Sequence, residues 1–174
     1  RALILGALGA GRSRIRGVLH SLDVRSTALV LRALGATVPA LSDDLVIDGV
    51  GLRGLQPPSS DLDCGNSGTS ARLLAGVVAG SPLSARFIGD ASLSRRPMGR
   101  VARPLSEMGA RFEFEGPGDG LPRTVHGARL RGLTWRAETA SAQVKSAILL
   151  AGLVADVPVE VPEPAPTRDH TERM

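Results

Sequence analysis

The chain has 174 residues, 43% of them hydrophobic and 22% charged, which is typical of one large or two small globular domains with a real core. A single cysteine, Cys64, excludes an internal disulfide and a cysteine-based metal site, and no apolar run reaches the about 20 residues that span a bilayer. The net charge is +4, and among lysines and arginines every residue except Lys145 is arginine, whose planar guanidinium suits carboxylates and phosphates. Because no secretory signal pattern is present either, we expect a cytoplasmic enzyme or binding module.

Apolar periodicity predicts five helices and three strands along the chain. The predicted helices are residues 1–8, 23–34, 69–78, 97–108 and 144–154. The predicted strands are residues 13–18, 85–88 and 157–161, and segments rich in Pro and Gly predict loops at 56–60 and 116–120. The helices at 1–8, 69–78 and 144–154 are apolar nearly all round, which indicates a place in the core.

The sequence contains an internal repeat. Residues 45–54 align without gaps on residues 123–132, and residues 31–36 align on 105–110, each pair indicating a helix that ends at glycine before a strand. A unit of about 70 to 80 residues thus occurs twice and begins a third time. We expect helix–strand–helix–strand–strand units at 1–62, 63–138 and 139–174. They would form an α/β (α+β) domain with buried helices and pseudo-threefold character.

Both ends of the chain lead us to expect a piece of a longer protein. Residues 1–8 begin inside an apolar helical pattern with no initiator Met and no cap. Near the other end, Asp169 and Glu172 have the spacing of a capping box, which announces a helix. The expected organisation is therefore one incomplete domain over residues 1–174.

Several segments of small polar residues stand where helices begin, and such ends favour anions because their N–H groups are unpaired and the dipole there is positive. They are 65–72, 141–143 and 164–170, and Lys145 could add a charge to the second. In a fourth segment, 89–100, the adjacent Arg95 and Arg96 precede Pro97, which suits a first helical turn. The alternative for each is a plain capped helix or a solvated arginine pair.

Other chemistries find little support in the sequence. No group of Asp, Glu and His has the spacing of metal ligands, and neither a Ser-His-Asp set nor a phosphate-binding P-loop can be nominated. A lone histidine such as His170 is more often structural than catalytic. Nothing in the sequence around His20 or His126 indicates a catalytic partner. A basic nucleic-acid-binding module is a competing reading, but aromatic residues make up only 2% of the chain and its arginines are dispersed.

Four long, ordered segments resemble the 5-enolpyruvylshikimate-3-phosphate synthase family. They are Gly-Asn-Ser-Gly-Thr at 65–69, Phe-Ile-Gly-Asp-Ala-Ser-Leu-Ser-Arg-Arg-Pro-Met-Gly-Arg at 87–100, Ala-Ser-Ala-Gln-Val-Lys-Ser-Ala at 140–147, and Thr-Arg-Asp-His-Thr-Glu-Arg-Met at 167–174. The resemblance runs the whole length of the chain but covers less than half of the family's enzyme. It implies transfer of the enolpyruvyl group of phosphoenolpyruvate to the 5-hydroxyl of shikimate 3-phosphate, without metal or organic cofactor.

The resemblance also implies roles for individual residues. Those matching the shikimate 3-phosphate side are Arg1, Ser141, Ala142, Gln143, Thr167 and Arg168. Those matching the phosphoenolpyruvate side are Asn66, Gly68, Thr69, Arg96 and Gln143, which is shared. Many members have Ser in place of Ala142, so one phosphate hydroxyl is missing, and Arg168 is expected to compensate. The herbicide glyphosate occupies the phosphoenolpyruvate site in the family, and some tolerant members have Ala at the position of Gly68.

The resemblance further implies what this stretch lacks. The family's Lys-Ser segment before Arg1 and the second domain, with its acid/base carboxylates, are absent, so residues 1–174 alone are expected not to turn over. No catalytic residue is assigned here, and the full enzyme is expected to be a monomer that binds neither nucleic acid nor membrane. The sister enzyme UDP-N-acetylglucosamine enolpyruvyl transferase is an alternative. Its donor loop typically holds a reactive Cys, whereas Cys64 has the character of a small core residue.

Overall fold

The computed structural model describes residues 1–115 and 118–174. Its elements in chain order are α1 (Ala2–Leu8), β1 (Arg12–Arg16), α2 (Leu22–Ala33), β2 (Asp44–Asp48), β3 (Leu62–Asp63), α3 (Gly68–Ala79), β4 (Ser84–Ile88), α4 (Ala91–Ser94), α5 (Gly99–Met108), β5 (Arg111–Phe114), β6 (Arg123–His126), β7 (Leu133–Thr134), α6 (Ala142–Ala155) and β8 (Val159–Glu160). Helices and strands are mixed throughout the chain, so the expected α/β class is confirmed. Residues 116 and 117 of the predicted loop 116–120 lie outside the described residues.

Three small sheets surround the core within the described residues. Strands β1 and β2 form an antiparallel pair, strands β3, β4, β6 and β5 form a mixed sheet in that order, and β7 and β8 form a parallel pair. Helices α1, α3 and α6 bury most of their residues, which confirms the prediction that these apolar segments are core helices. Leu, Ala, Val and Ile supply nearly all of that core.

Helices α3 and α6 pack in unusually close contact. A Cβ atom on Gly76 would lie 2.2 Å from the carbonyl oxygen of Ala147, and one on Gly80 would lie 2.7 Å from that of Ala151. Only glycine permits backbones to approach this closely. As a consequence, the N-terminal ends of the two helices stand side by side.

The aligned segments of the internal repeat make matching backbone hydrogen bonds. The N–H of Val50 donates to the carbonyl of Ala7 at 2.8 Å, and the N–H of Ala128 donates to that of Ala79 at 3.1 Å. Helices α2 and α5 also end alike, since Gly35 and Gly109 both have positive φ angles (85° and 122°), the C′ conformation that glycine favours. The aligned segments 45–54 and 123–132 contain strand β2 residues and strand β6 respectively, and β5 intervenes between α5 and β6 in the second copy.

Several predicted boundaries are wrong. Helix α5 begins at Gly99 rather than residue 97, because the N–H groups of Met98 and Gly99 are bound by Asp119, and the short helix α4 was not predicted. Strand β1 ends before Gly17, whose φ of 69° breaks the extended run. Strand β8 covers only two residues because it pairs with a two-residue partner. At Asp169 the backbone makes one turn, closed by a bond from the N–H of Arg173 to the carbonyl of Asp169 at 3.0 Å.

Among the described residues, no helix is both long enough and apolar enough to cross a membrane. The longest helix, α6, has 14 residues, whereas a spanning helix needs about 20. Its apolar surface is buried against α3, α5 and β8.

We expect Gly76→Ala to destabilise the fold by about 2–3 kcal/mol, because the new methyl group meets the Ala147 carbonyl and the helices must separate. Chemical denaturation of both proteins measures the difference in free energy of unfolding. Gly9→Ala is the matched control, since a Cβ there has its nearest contact at an ordinary 3.5 Å and φ is −65°. Equal losses in the two variants would contradict the close-packing argument.

Candidate functional site

The starts of helices α3 and α6 are joined by the side chain of Gln143. Its Nε2 donates to the hydroxyl of Thr69 at 3.1 Å, and its Oε1 accepts from Nη1 of Arg72 at 3.0 Å. Two segments that the sequence singled out separately, 65–72 and 141–143, therefore form one surface. The predicted sharing of Gln143 between two ligand sites is compatible with this central position.

The loop before α3 is fixed by Asn66 and Arg96. The Asn66 side chain accepts from Nη2 of Arg96 at 2.6 Å and donates to the Asp90 carboxylate at 2.7 Å. Asp90 in turn caps the short helix α4 by accepting from the N–H of Leu93 at 2.7 Å. That backbone bond, followed by the bond from Asn66, lowers the pKa of Asp90 below its ordinary value.

Positive charge gathers above the first turn of α3. Burial lowers the pKa of Arg72, and the nearby charges of Arg96 and Arg100 lower it further. Among the ion pairs formed by the described residues, none involves these three arginines. Like charges held together without an acidic partner at a helix N-terminus are suited to an anion.

Gly68 lies directly beneath this charge. A Cβ atom at Gly68 would be 2.5 Å from Nη1 of Arg72 and 3.6 Å from Nη1 of Arg96. The glycine thus leaves the space in which two guanidinium groups face the helix start. Any side chain here would displace Arg72 or occupy that space.

Sequence reasoning did not nominate Arg72 and Arg100 as site residues. A signal for Arg72 existed, because it follows Gly68 by one helical turn and therefore projects from the same face. An arginine this near the N-terminal end of a helix is also unfavourably placed in the helix dipole. No comparable signal marks Arg100, whose relation to Arg72 depends on the packing of α5 beside α3.

The start of α6 carries the second part of the surface. Ser141 is the N-cap, and its hydroxyl accepts from the N–H of Val144 at 3.4 Å. Arg1 reaches the same place, with Nη2 donating to the Ser146 hydroxyl at 3.3 Å and Nε donating to that of Thr171 at 2.8 Å. Burial lowers the pKa of Arg1, the nearby charge of Arg168 lowers it further, and the charge of Glu172 partly offsets both. Ala142 is buried in the first turn, where it offers backbone groups only.

Lys145 does not offer its charge to this surface, contrary to the sequence-based expectation. Its side chain is 8% exposed, and Nζ lies 2.6 Å from the carboxylates of both Glu163 and Glu172. Thr167, another predicted site residue, also donates its hydroxyl to Glu163. Lys145 therefore ties the C-terminal segment, which carries Thr167 and Arg168, to the first turns of α6.

Cys64 and the histidines lie apart from this surface. Cys64 is fully buried, and burial raises the pKa of its thiol to about 12, so the group is an inert part of the core. The rings of His20 and His126 do have partners, Asp43 at 3.1 Å and the Ser84 hydroxyl at 2.8 Å respectively. His170 is exposed.

The sequence profile of the EPSP synthase (3-phosphoshikimate 1-carboxyvinyltransferase) family matches residues 1–174, the whole chain. The chain belongs to this family. It is 56% identical to 3-phosphoshikimate 1-carboxyvinyltransferase of Parvibaculum lavamentivorans over 100% of its own length and 39% of that protein, and 53% identical to the enzyme of Halorhodospira halophila with the same shares. The chain thus spans about two fifths of the length of these curated relatives.

Solved structures agree with the family assignment. EPSP synthase from Acinetobacter baumannii superposes with a TM-score of 0.95 at 42% identity, over 99% of this chain and 39% of that one. The enolpyruvyl transferase NikO from Streptomyces tendae has a TM-score of 0.65 at 19% identity, over 98% of this chain and 40% of that one, which shows a shared fold only. The resemblance and the fold expected from the sequence are confirmed.

We expect Lys145→Met to destabilise the chain by about 3 kcal/mol near pH 7, because Glu163 and Glu172 are left without their buried partner. Burial raises the pKa of Glu163, but the hydrogen bonds from Lys145 and Thr167 outweigh burial, so the pKa of Glu163 lies below its ordinary value of 4.5. Burial lowers the pKa of Lys145, but the bonds to both glutamates outweigh burial, so the pKa of Lys145 lies above its ordinary value of 10.5. The ion pair therefore stabilises the fold above pH 4.5 and below pH 10.5, and this contribution is lost beyond those limits as each group titrates.

Urea denaturation of wild type and variant across this pH range measures the difference. The matched control is Arg12→Ala, which removes an exposed pair with Asp48 and is expected to leave the free energy of unfolding nearly unchanged. A difference for Lys145→Met that stays constant from pH 3 to pH 7 would contradict the assignment.

Proposed function

We propose that this chain supplies one face of the substrate cleft of an enzyme that transfers the enolpyruvyl group from phosphoenolpyruvate to the 5-hydroxyl of shikimate 3-phosphate, releasing phosphate. The proposal follows from family membership. The single observation that carries it is the bridge of Gln143 to Thr69 and Arg72, which makes two anion-binding helix starts into one surface. Two phosphorylated substrates that must react with each other require such adjacency.

For shikimate 3-phosphate we propose the start of α6 and the groups around it. Free first-turn N–H groups, the Ser141 hydroxyl and the Arg1 guanidinium converge there. Arg168 adds the charge and hydrogen bonds that a hydroxyl at Ala142 would otherwise provide, and Thr167 stands on the same segment. Because Arg1 and Arg168 repel one another across this point, a bound phosphate would relieve the repulsion.

For phosphoenolpyruvate we propose the loop and first turn of α3. Asn66, Gly68 and Thr69 line it, and Arg96 and Arg72 supply charge that forms no ion pair among the described residues. The chain's own contribution to the reaction is to hold the two anions in contact and to neutralise them. We assign no proton transfer to any residue of this chain.

We further propose that the chain consists of repeat units at 1–62, 63–138 and 139–174, and that a second domain complements it in the working enzyme. We propose that this enzyme acts as a cytoplasmic monomer without a metal or organic cofactor. The backbone hydrogen bonds from Val50 to Ala7 and from Ala128 to Ala79 match one another, which supports the units at 1–62 and 63–138. No observation favours the sister enzyme, since Cys64 is buried in the core. No observation favours a nucleic-acid-binding module either.

We expect the complete gene product to release phosphate only when both substrates are present, and Gln143→Ala to raise the KM of each by about tenfold, because one side chain serves both sites. Gln56→Ala is the matched control, since that exposed amide bonds only to the carbonyl of Gly54. Steady-state kinetics with each substrate varied in turn measures both constants. An effect on neither KM, or activity without shikimate 3-phosphate, would count against the proposal.

The same assay applied to residues 1–174 alone is expected to show no phosphate release above background. This stretch offers anion-binding groups, but the proposal places the acid/base groups in the second domain. Sustained turnover by residues 1–174 would refute that division of labour.

We propose glyphosate, an anionic herbicide, as an inhibitor competitive with phosphoenolpyruvate, and we expect Gly68→Ala to raise its inhibition constant by about tenfold or more. The added methyl group would stand 2.5 Å from Nη1 of Arg72 and would narrow the site. Inhibition curves on the complete gene product test this. Gly9→Ala is a remote control, and strong tolerance with Gly68 intact would contradict the prediction.

A further inference from the structure

Asp119 occupies the start of helix α5, which the sequence marked as a possible anion site. Its Oδ2 accepts from the N–H of Gly99 at 3.0 Å, and its backbone carbonyl accepts from the N–H of Met98 at 2.7 Å. A carboxylate at this point compensates the positive end of the helix dipole. The start of α5 is therefore filled from within the protein and is not offered to a ligand.

A buried arginine holds Asp119 from the other side. Nη2 of Arg123 lies 3.3 Å from Oδ1 of Asp119, the Arg123 side chain is 1% exposed, and its guanidinium stacks over the Phe114 ring at 3.4 Å from the centroid. Among the ion pairs of the described residues, Asp119 is the acid that faces Arg123. Because the arginine is fixed by burial and stacking, its partner carboxylate is fixed too.

The residues after Asp119 clamp the segment that carries Arg96. The N–H of Leu121 donates to the carbonyl of Ser94 at 3.3 Å, and a Cβ on Gly120 would lie 1.7 Å from the same carbonyl oxygen. Segment 94–98 is thus held at its first residue by 120–121 and at its last by Asp119. Arg96 stands between these two points, with its guanidinium against Asn66.

We propose that Asp119 is a positioning residue that sets the place of Arg96 in the phosphoenolpyruvate site, through the clamp on segment 94–98. The proposal rests on the proposed function, because it takes Arg96 as a phosphoenolpyruvate ligand. Loss of the carboxylate frees the start of α5 and leaves the Arg123 charge buried without its acid. The backbone at residue 119, whose carbonyl holds the N–H of Met98, is then no longer anchored by the side-chain bonds to Gly99 and Arg123, so segment 94–98 shifts and Arg96 is displaced from the site.

The test is a double-mutant cycle of Asp119→Ala and Arg96→Ala in the complete gene product, with each substrate's KM measured separately. We expect Asp119→Ala to raise the KM for phosphoenolpyruvate by about tenfold and to leave that for shikimate 3-phosphate within about twofold. In the Arg96→Ala background, the same substitution should add less than about twofold. Asp48→Ala, which removes another surface carboxylate paired with an arginine, is the control.

The outcomes separate the two proposals. If Arg96→Ala leaves the KM for phosphoenolpyruvate unchanged, the proposed site is wrong. If Arg96→Ala raises it but Asp119→Ala does not, or if the two effects multiply as independent ones do, the positioning role is wrong. Should Asp119→Ala fail to fold, Asp119→Asn takes its place in the cycle: its amide oxygen still accepts from Gly99 but the charge facing Arg123 is gone, so a smaller rise in the KM for phosphoenolpyruvate is expected, and no rise, or one that persists in the Arg96→Ala background, contradicts the positioning role.

Discussion

The close contact between helices α3 and α6 is the constraint on which the rest of the structure depends. Glycines at 76 and 80 let the α3 backbone meet the carbonyl groups of Ala147 and Ala151 at distances that exclude any side chain. The two helices therefore run side by side to their N-terminal ends, where Gln143 spans the gap. An interior of Ala, Val, Leu and Ile with almost no aromatic residues suits this arrangement, because small side chains let helices approach.

The buried and half-buried cationic side chains fall into two groups, according to their hydrogen-bond partners. Lys145 and Arg123 are paired with carboxylates, so their charges serve to attach the C-terminal segment and the loop around residue 119. Within the part of the chain that the structure describes, Arg72, Arg96 and Arg1 donate only to neutral oxygens of amides, hydroxyls and carbonyls. Burying an arginine charge without a carboxylate partner costs free energy unless a bound ligand supplies the opposite charge. The contrast distinguishes the structural cations from those that we propose to bind anionic substrates.

The apolar pattern predicted the core helices to within two residues, and the repeat and the α/β class followed from the sequence as well. Local patterns could not reveal Asp119 at the start of α5, because its effect depends on a loop that is 20 residues distant in the chain. The same holds for Lys145, whose partners Glu163 and Glu172 approach only after the chain passes β8. Motif segments indicated the site residues, whereas Arg72 and Arg100 needed the packing of α3, α5 and α6.

The helix caps differ between the proposed anion-binding face and the rest of the molecule. Helices α4 and α5 are capped by carboxylates, from Asp90 and Asp119, which cancel the positive ends of their dipoles. Helices α3 and α6 are capped by the neutral hydroxyls of Ser67 and Ser141 and have no acidic residue in the first turn. Their dipoles stay uncompensated at the place where the unpaired arginines gather. Since α3 and α6 are also the two helices in closest contact, the same packing that builds the core concentrates positive potential at one edge of it.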